Sequence, residues 1–109
     1  MTVSQMNHVA HGAGGAPDIL KLAQTSVPQP APWEVLIKVA YAGVNRPDCL
    51  QRSGRYPPPP SASPILGLEA SGEVVGLGEG VSRWKLGEQL CGLANGGAYA
   101  EYVCIPEGQ

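Results

Sequence analysis

Glycine and proline punctuate this chain so closely that no long helix can be drawn through it. The 15 glycines and 11 prolines, 26 of 109 residues, fall between short runs rich in Val, Ile and Leu. Proline withdraws a backbone donor, and glycine weakens any regular element it interrupts. The clearest uninterrupted run is Trp33 to Val44. Its alternation sets Val35, Ile37, Val39 and Tyr41 on one face and Glu34, Leu36, Lys38 and Ala40 on the other, which predicts a strand. Further strands are expected over 3–10, 19–23, 72–77, 89–93 and 98–105. Asn95-Gly96 carries a hairpin signal between the last two. Arg46 to Ser53 predicts one or two helical turns, with Pro47 tolerated in the first and Gly54 as the stop. Short strands with glycine turns indicate an all-β barrel or sandwich.

A second stretch organises the chain: Ile65-Leu66-Gly67-Leu68-Glu69-Ala70-Ser71-Gly72-Glu73-Val74-Val75. Gly67 and Gly72 allow a turn or a close backbone approach that a side chain would block. Glu69 stands among Leu66, Leu68 and Ala70. Two readings follow: a buried carboxylate requiring hydrogen-bond partners or a cation, or a strand-entry carboxylate capping backbone amides.

Composition narrows the function. The length is that of one domain. A charged fraction of 15% and a net charge of −2, without a basic face, argue against nucleic acid and against an anionic membrane surface. No apolar run approaches the roughly 18 residues of a membrane span, and the first ten residues lack a signal-peptide pattern. Cys49, Cys91 and Cys104 are scattered and odd in number, which reads as reduced thiols in a cytoplasmic protein. The segment Gly76-Leu-Gly-Glu-Gly80 has the wrong spacing for a dinucleotide fingerprint and no long helix after it, so a turn is expected.

Few residues have a setting suited to chemistry. His8 and His11 flank a glycine turn without thiol or carboxylate in register, and are expected to be solvent-exposed rather than metal ligands. Asn45 follows the long strand and suits a turn or helix cap; Asp48 suits a first helical turn. Tyr56 precedes a stiff tetraproline, either as a lid over a barrel end or as a fixed functional group.

Taken in order, Gly43-Val-Asn-Arg-Pro-Asp48, Gln51-Arg-Ser-Gly-Arg-Tyr-Pro-Pro58, Gly67-Leu-Glu-Ala-Ser-Gly-Glu-Val74, Trp84-Lys-Leu-Gly-Glu88 and Gly96-Gly-Ala-Tyr-Ala-Glu-Tyr102 form a recognisable series. The chain resembles the N-terminal, GroES-like domain of the medium-chain dehydrogenase/reductase superfamily. The likeness is specifically to its zinc-free quinone oxidoreductase branch, with the p53-inducible quinone oxidoreductase group nearest. The resemblance implies a mainly β fold, a GroES-like partly open β-barrel with one or two short helices. It implies hydride transfer from NADPH to a small-molecule quinone. Asn45 matches the family asparagine near the nicotinamide and Tyr56 a tyrosine lining the cofactor–quinone cleft, so both are catalytic and cofactor-binding candidates. Asp48 and Glu69 match supporting positions. A second tyrosine of some relatives falls at Leu50. Where zinc alcohol dehydrogenases have a Cys and a His ligand, this chain has Asn45 and Leu68, so no zinc is expected.

Residues 1–109 then correspond to the substrate-side domain alone. Relatives continue into a Rossmann domain that binds the dinucleotide, and the resemblance implies that this chain is a piece of such an enzyme, inactive by itself and homodimeric at full length. Two alternatives share the fold: a free-standing GroES-like binding module, or the half-site of an NADPH-dependent alkene reductase.

Overall fold

A computed structural model of the chain describes residues 4–54 and 62–109. Two antiparallel sheets account for its strands. β1 (Gln5–Ala10) and β2 (Lys21–Ser26) form a hairpin, joined through a single 3-10 turn at Pro17–Ile19. That turn delays the second strand by two residues relative to expectation. The larger sheet contains β3 (Glu34–Ala42), β4 (Glu69–Leu77), β5 (Gln89–Leu93) and β6 (Tyr102–Pro106) in the order β5-β4-β3-β6. One helix, α1 (Arg46–Arg52), follows β3 and ends at Ser53–Gly54 as expected.

The two sheets meet along a seam made by residues 99–101. On one side the Val9 amide donates to the Tyr99 carbonyl at 2.9 Å and the Glu101 amide to Asn7 at 3.1 Å. On the other side the Val39 amide donates to the Glu101 carbonyl at 2.8 Å. The sheets are thereby curved together without closing, giving the expected partly open, GroES-like barrel.

β3 is the centre of the core because its first half is buried on both faces. Val35 and Ile37 pack with Ala70, Val74, Leu90, Val103 and Ile105. Leu36, on the other face, packs with Met6 and Tyr102. Tyr41 departs from the alternation and is 79% exposed. The register explains it: Val39 pairs with Gly72 but Tyr41 with Ser71, so Ala40 is an extra, bulged residue. The bulge reverses the facing, turning Ala42 to the core and Tyr41 outward. Gly72 makes this possible, since a Cβ there would overlap the Lys38 carbonyl.

The hairpin expected at Asn95-Gly96 does not form. β5 and β6 lie at opposite edges of the sheet, with β4 and β3 between them. The connecting segment is bound instead to the stretch before β4: Ala94 donates to Leu68 at 2.7 Å, Gly97 to Ile65 at 2.8 Å, and Tyr99 to Leu66 at 2.9 Å. These bonds use Ala98–Glu101 for the crossing and the seam, so β6 begins only at Tyr102. Gly67 permits the crossing, with φ of 105° and no room for a Cβ, which would come within 2.7 Å of the Tyr99 ring.

Gly72→Ala is therefore expected to lower stability by about 2–3 kcal/mol. A urea midpoint shift of the corresponding size, with unchanged slope, would be the confirming measurement.

Candidate active site

α1 is unusual in what it buries. Of its seven residues only Asp48 and Gln51 are buried, so polar bonds rather than an apolar stripe fix the helix to the barrel. Gln51 donates from Nε2 to the Pro64 carbonyl at 3.3 Å, and Arg52 from Nε to the Gly15 carbonyl at 3.0 Å.

Asp48, 2% exposed, is the anchor of this group. Its Oδ2 accepts from the Asn45 backbone amide at 3.0 Å and from the Tyr99 hydroxyl at 2.8 Å. Oδ1 is buried and has no partner among the described residues. The first-turn placement expected of Asp48 is correct, but its role exceeds helix capping, because it binds a residue 51 positions away. Tyr99 carries no functional signal of its own in the sequence. It stands inside the Gly96–Tyr102 motif, and no local pattern links it to Asp48.

Asn45 has extended backbone angles, φ −127° and ψ 160°, at the start of α1. It forms a capping box with Asp48 there, and its side chain donates from Nδ2 to Glu69 Oε1 at 3.4 Å. Glu69 is exposed rather than buried among its apolar neighbours. As the first residue of β4 it points outward while Ala70 takes the core side. Among the described residues it neither caps backbone amides nor meets a cation; its partner there is the Asn45 carboxamide. The Gly43 backbone lies flush against the Glu69 carboxylate, leaving no space for a side chain. Thus Asn45, Asp48 and Glu69, three of the four candidates, form one connected group with Tyr99 behind it. The fourth, Tyr56, lies outside the described residues.

In this group the Asp48 carboxylate is buried and engaged by the Tyr99 phenol. The group presents a carboxamide, able to donate to a carbonyl or developing oxyanion, beside an exposed carboxylate. Leu68 supplies no donor atom, and among the described residues no three His, Cys, Asp or Glu side chains gather as metal ligands. His8 is half-buried, contrary to expectation, with a buried Nδ1 that has no partner among the described residues.

An alcohol dehydrogenase GroES-like domain model matches residues 31–109. The chain belongs to this family. The "Synaptic vesicle membrane protein VAT-1 homolog-like" of Mus musculus is 32% identical over 102 residues, covering 94% of this chain and 24% of that protein. The "Quinone oxidoreductase" of Lama guanicoe is 40% identical over 91 residues, covering 82% of the chain and 28% of that protein. A solved quinone oxidoreductase from Coxiella burnetii superposes with a TM-score of 0.79 at 32% identity, over 94% of this chain and 35% of that one. This GroES-like domain therefore spans about a quarter to a third of the relatives it matches. Among its described residues no helix is long and apolar enough to cross a membrane.

The domain's titratable groups support two measurements. Burial, and then the bond to the Asp48 carboxylate and its charge, push the Tyr99 phenol well above the ordinary tyrosine range. The folded state thus favours the neutral phenol. That contribution is fully present below the unfolded pKa of about 10 and is lost as the pH rises above it. Urea unfolding at pH 9 and 11 is expected to show a steeper loss for the wild type than for Tyr99→Phe.

Burial, with a smaller effect from Glu34, raises the Cys104 thiol to about 12. Cys104 lines a cavity of about 440 Å³ beside Met6, His8, Ile65 and Tyr102. Cys49 and Cys91 are exposed. Ellman's reagent at pH 8 is expected to titrate those two thiols rapidly and Cys104 only on unfolding.

Proposed function

We propose that this chain is the substrate-side domain of an NADPH-dependent quinone oxidoreductase that transfers hydride to a quinone without zinc. The observation that carries the reading is the Asn45 carboxamide, set at the end of β3 by a buried carboxylate and held to an exposed one at 3.4 Å. A contact of that length is readily exchanged for a ligand. The names of the quinone oxidoreductase relatives support the substrate class.

NADPH, when bound, supplies the hydride. The domain's own residues orient and stabilise. Asn45 donates to the nicotinamide amide or to the oxygen on which charge develops. Tyr56 orients the quinone and serves as the candidate proton donor. Asp48 and Glu69 hold Asn45 from either side. Leu68, with no donor atom, supports the zinc-free reading, because a tetrahedral site needs nitrogen, sulfur or oxygen at that position. In this reading the dinucleotide is held mainly by residues outside these 109, the full-length form is a homodimer, and the domain alone does not turn over. The three free cysteines fit a reducing, cytoplasmic setting.

The test is quinone-dependent NADPH oxidation by the natural full-length protein carrying this domain, with and without a chelator. Turnover indifferent to the chelator is expected, and Asn45→Ala should lower kcat/KM by about tenfold to a hundredfold. Activity abolished by the chelator, or no reduction of any quinone, would overturn the proposal.

A further inference from the structure

We infer that Tyr99 is a positioning residue that sets the direction of the Asn45 carboxamide through Asp48. The inference rests on the reading of Asn45 as the group that meets cofactor and quinone.

Tyr99 is fixed along its whole length. Its amide donates to the Leu66 carbonyl at 2.9 Å, and its own carbonyl accepts from Val9 at 2.9 Å. The ring lies over Gly67, where a Cβ would collide with it. The hydroxyl therefore reaches Asp48 from a backbone anchored to two other segments. Tyr99 belongs to neither apolar core cluster. Its hydroxyl is consequently a strut between barrel and helix rather than a by-product of core packing.

The strut acts on a helix that buries no apolar side chain. Asp48 Oδ2 is shared by the phenol and the Asn45 amide, so moving the carboxylate moves the acceptor that holds Asn45 at the helix start. Oδ1, without a partner among the described residues, offers no substitute restraint. Were the phenol removed, one buried carboxylate would keep a single recorded hydrogen bond, a costly state that favours displacement toward solvent. Asn45, which shares a capping box with Asp48 and whose carboxamide makes a long 3.4 Å contact with Glu69, would then lose its fixed direction.

Amide hydrogen exchange by NMR on the 109-residue chain tests this without turnover. Tyr99→Phe is expected to accelerate exchange at the Asn45 backbone amide at least tenfold, and to shift the Asn45 side-chain NH2 resonances. Val35 and Ile37, in the core of β3, should change less than threefold. A merely structural role would accelerate Asn45 and the core amides by the same factor, and that result, or no change at Asn45, would overturn the inference. The near-isosteric Asp48→Asn gives a second measurement should the first variant fail to fold. Both donors meet one oxygen, Oδ2, in the native protein, and a neutral amide oxygen is a weaker acceptor than a carboxylate, so the same selective acceleration is expected; an unchanged Asn45 would overturn the inference. Absence of quinone reduction in the full-length protein would refute the functional reading while leaving this geometric result standing on its own.

Discussion

A buried carboxylate holds this domain's candidate site in place. Asp48 sits in a position where an ionised group is tolerated only because donors converge on it: a phenol anchored on the barrel and the amide at the start of α1. Remove that convergence and the first turn of a seven-residue helix with no buried apolar side chain is released, leaving the Gln51 and Arg52 bonds to hold its end. Short helices of this length have no stability of their own and take their form from tertiary bonds. The precision of the site thus derives from polar geometry, while the stability of the domain derives from β3, buried on both faces. The two requirements are served by different parts of one continuous segment, residues 34–52.

Irregularities in the ladder connect them. The extra residue at Ala40 reverses which side chains face the core just before the strand delivers Gly43, Val44 and Asn45. Bulges beside functional sites commonly re-aim a side chain in this way. Here the bulge turns Tyr41 outward, keeps Ala42 against the core and brings the Gly43 backbone flush with Glu69.

Much of the architecture was legible in the sequence, and the reasons are local. Alternation in 33–44 marked the central strand, proline and glycine marked the limits of α1, and Gly67 and Gly72 stand where backbones do approach closely. The ordered motifs indicated the family, which the matched domain model bears out. What escaped was non-local. An Asn-Gly pair reads as a hairpin only if its flanking strands pair with each other, and here β5 finds β4 instead. Alternation cannot foresee a bulge, so Tyr41 was placed on the wrong face. Glu69 reads from its sequence neighbours as either a buried carboxylate or a strand-entry residue; it is the strand entry, exposed at the start of β4. The Tyr99–Asp48 bond joins residues too distant for any periodic signal. Tyr56 falls outside the described residues.

The seam at residues 99–101 carries an implication for how the domain assembles. Tyr99 contacts β1, the approach to β4 and α1 at once, so the candidate site closes only after segments from both ends of the chain have met. Joining such remote segments costs loop entropy before any bond rewards it, and topologies dominated by distant pairings fold slowly. The β1–β2 hairpin and the β3–β4 pair can form early from nearer partners. The arrangement around Asn45 is then among the last parts of the molecule to become native. Nascent chains that stall before the Gly96–Tyr102 segment emerges would hold three strands of the larger sheet with Asp48 still lacking its phenol donor.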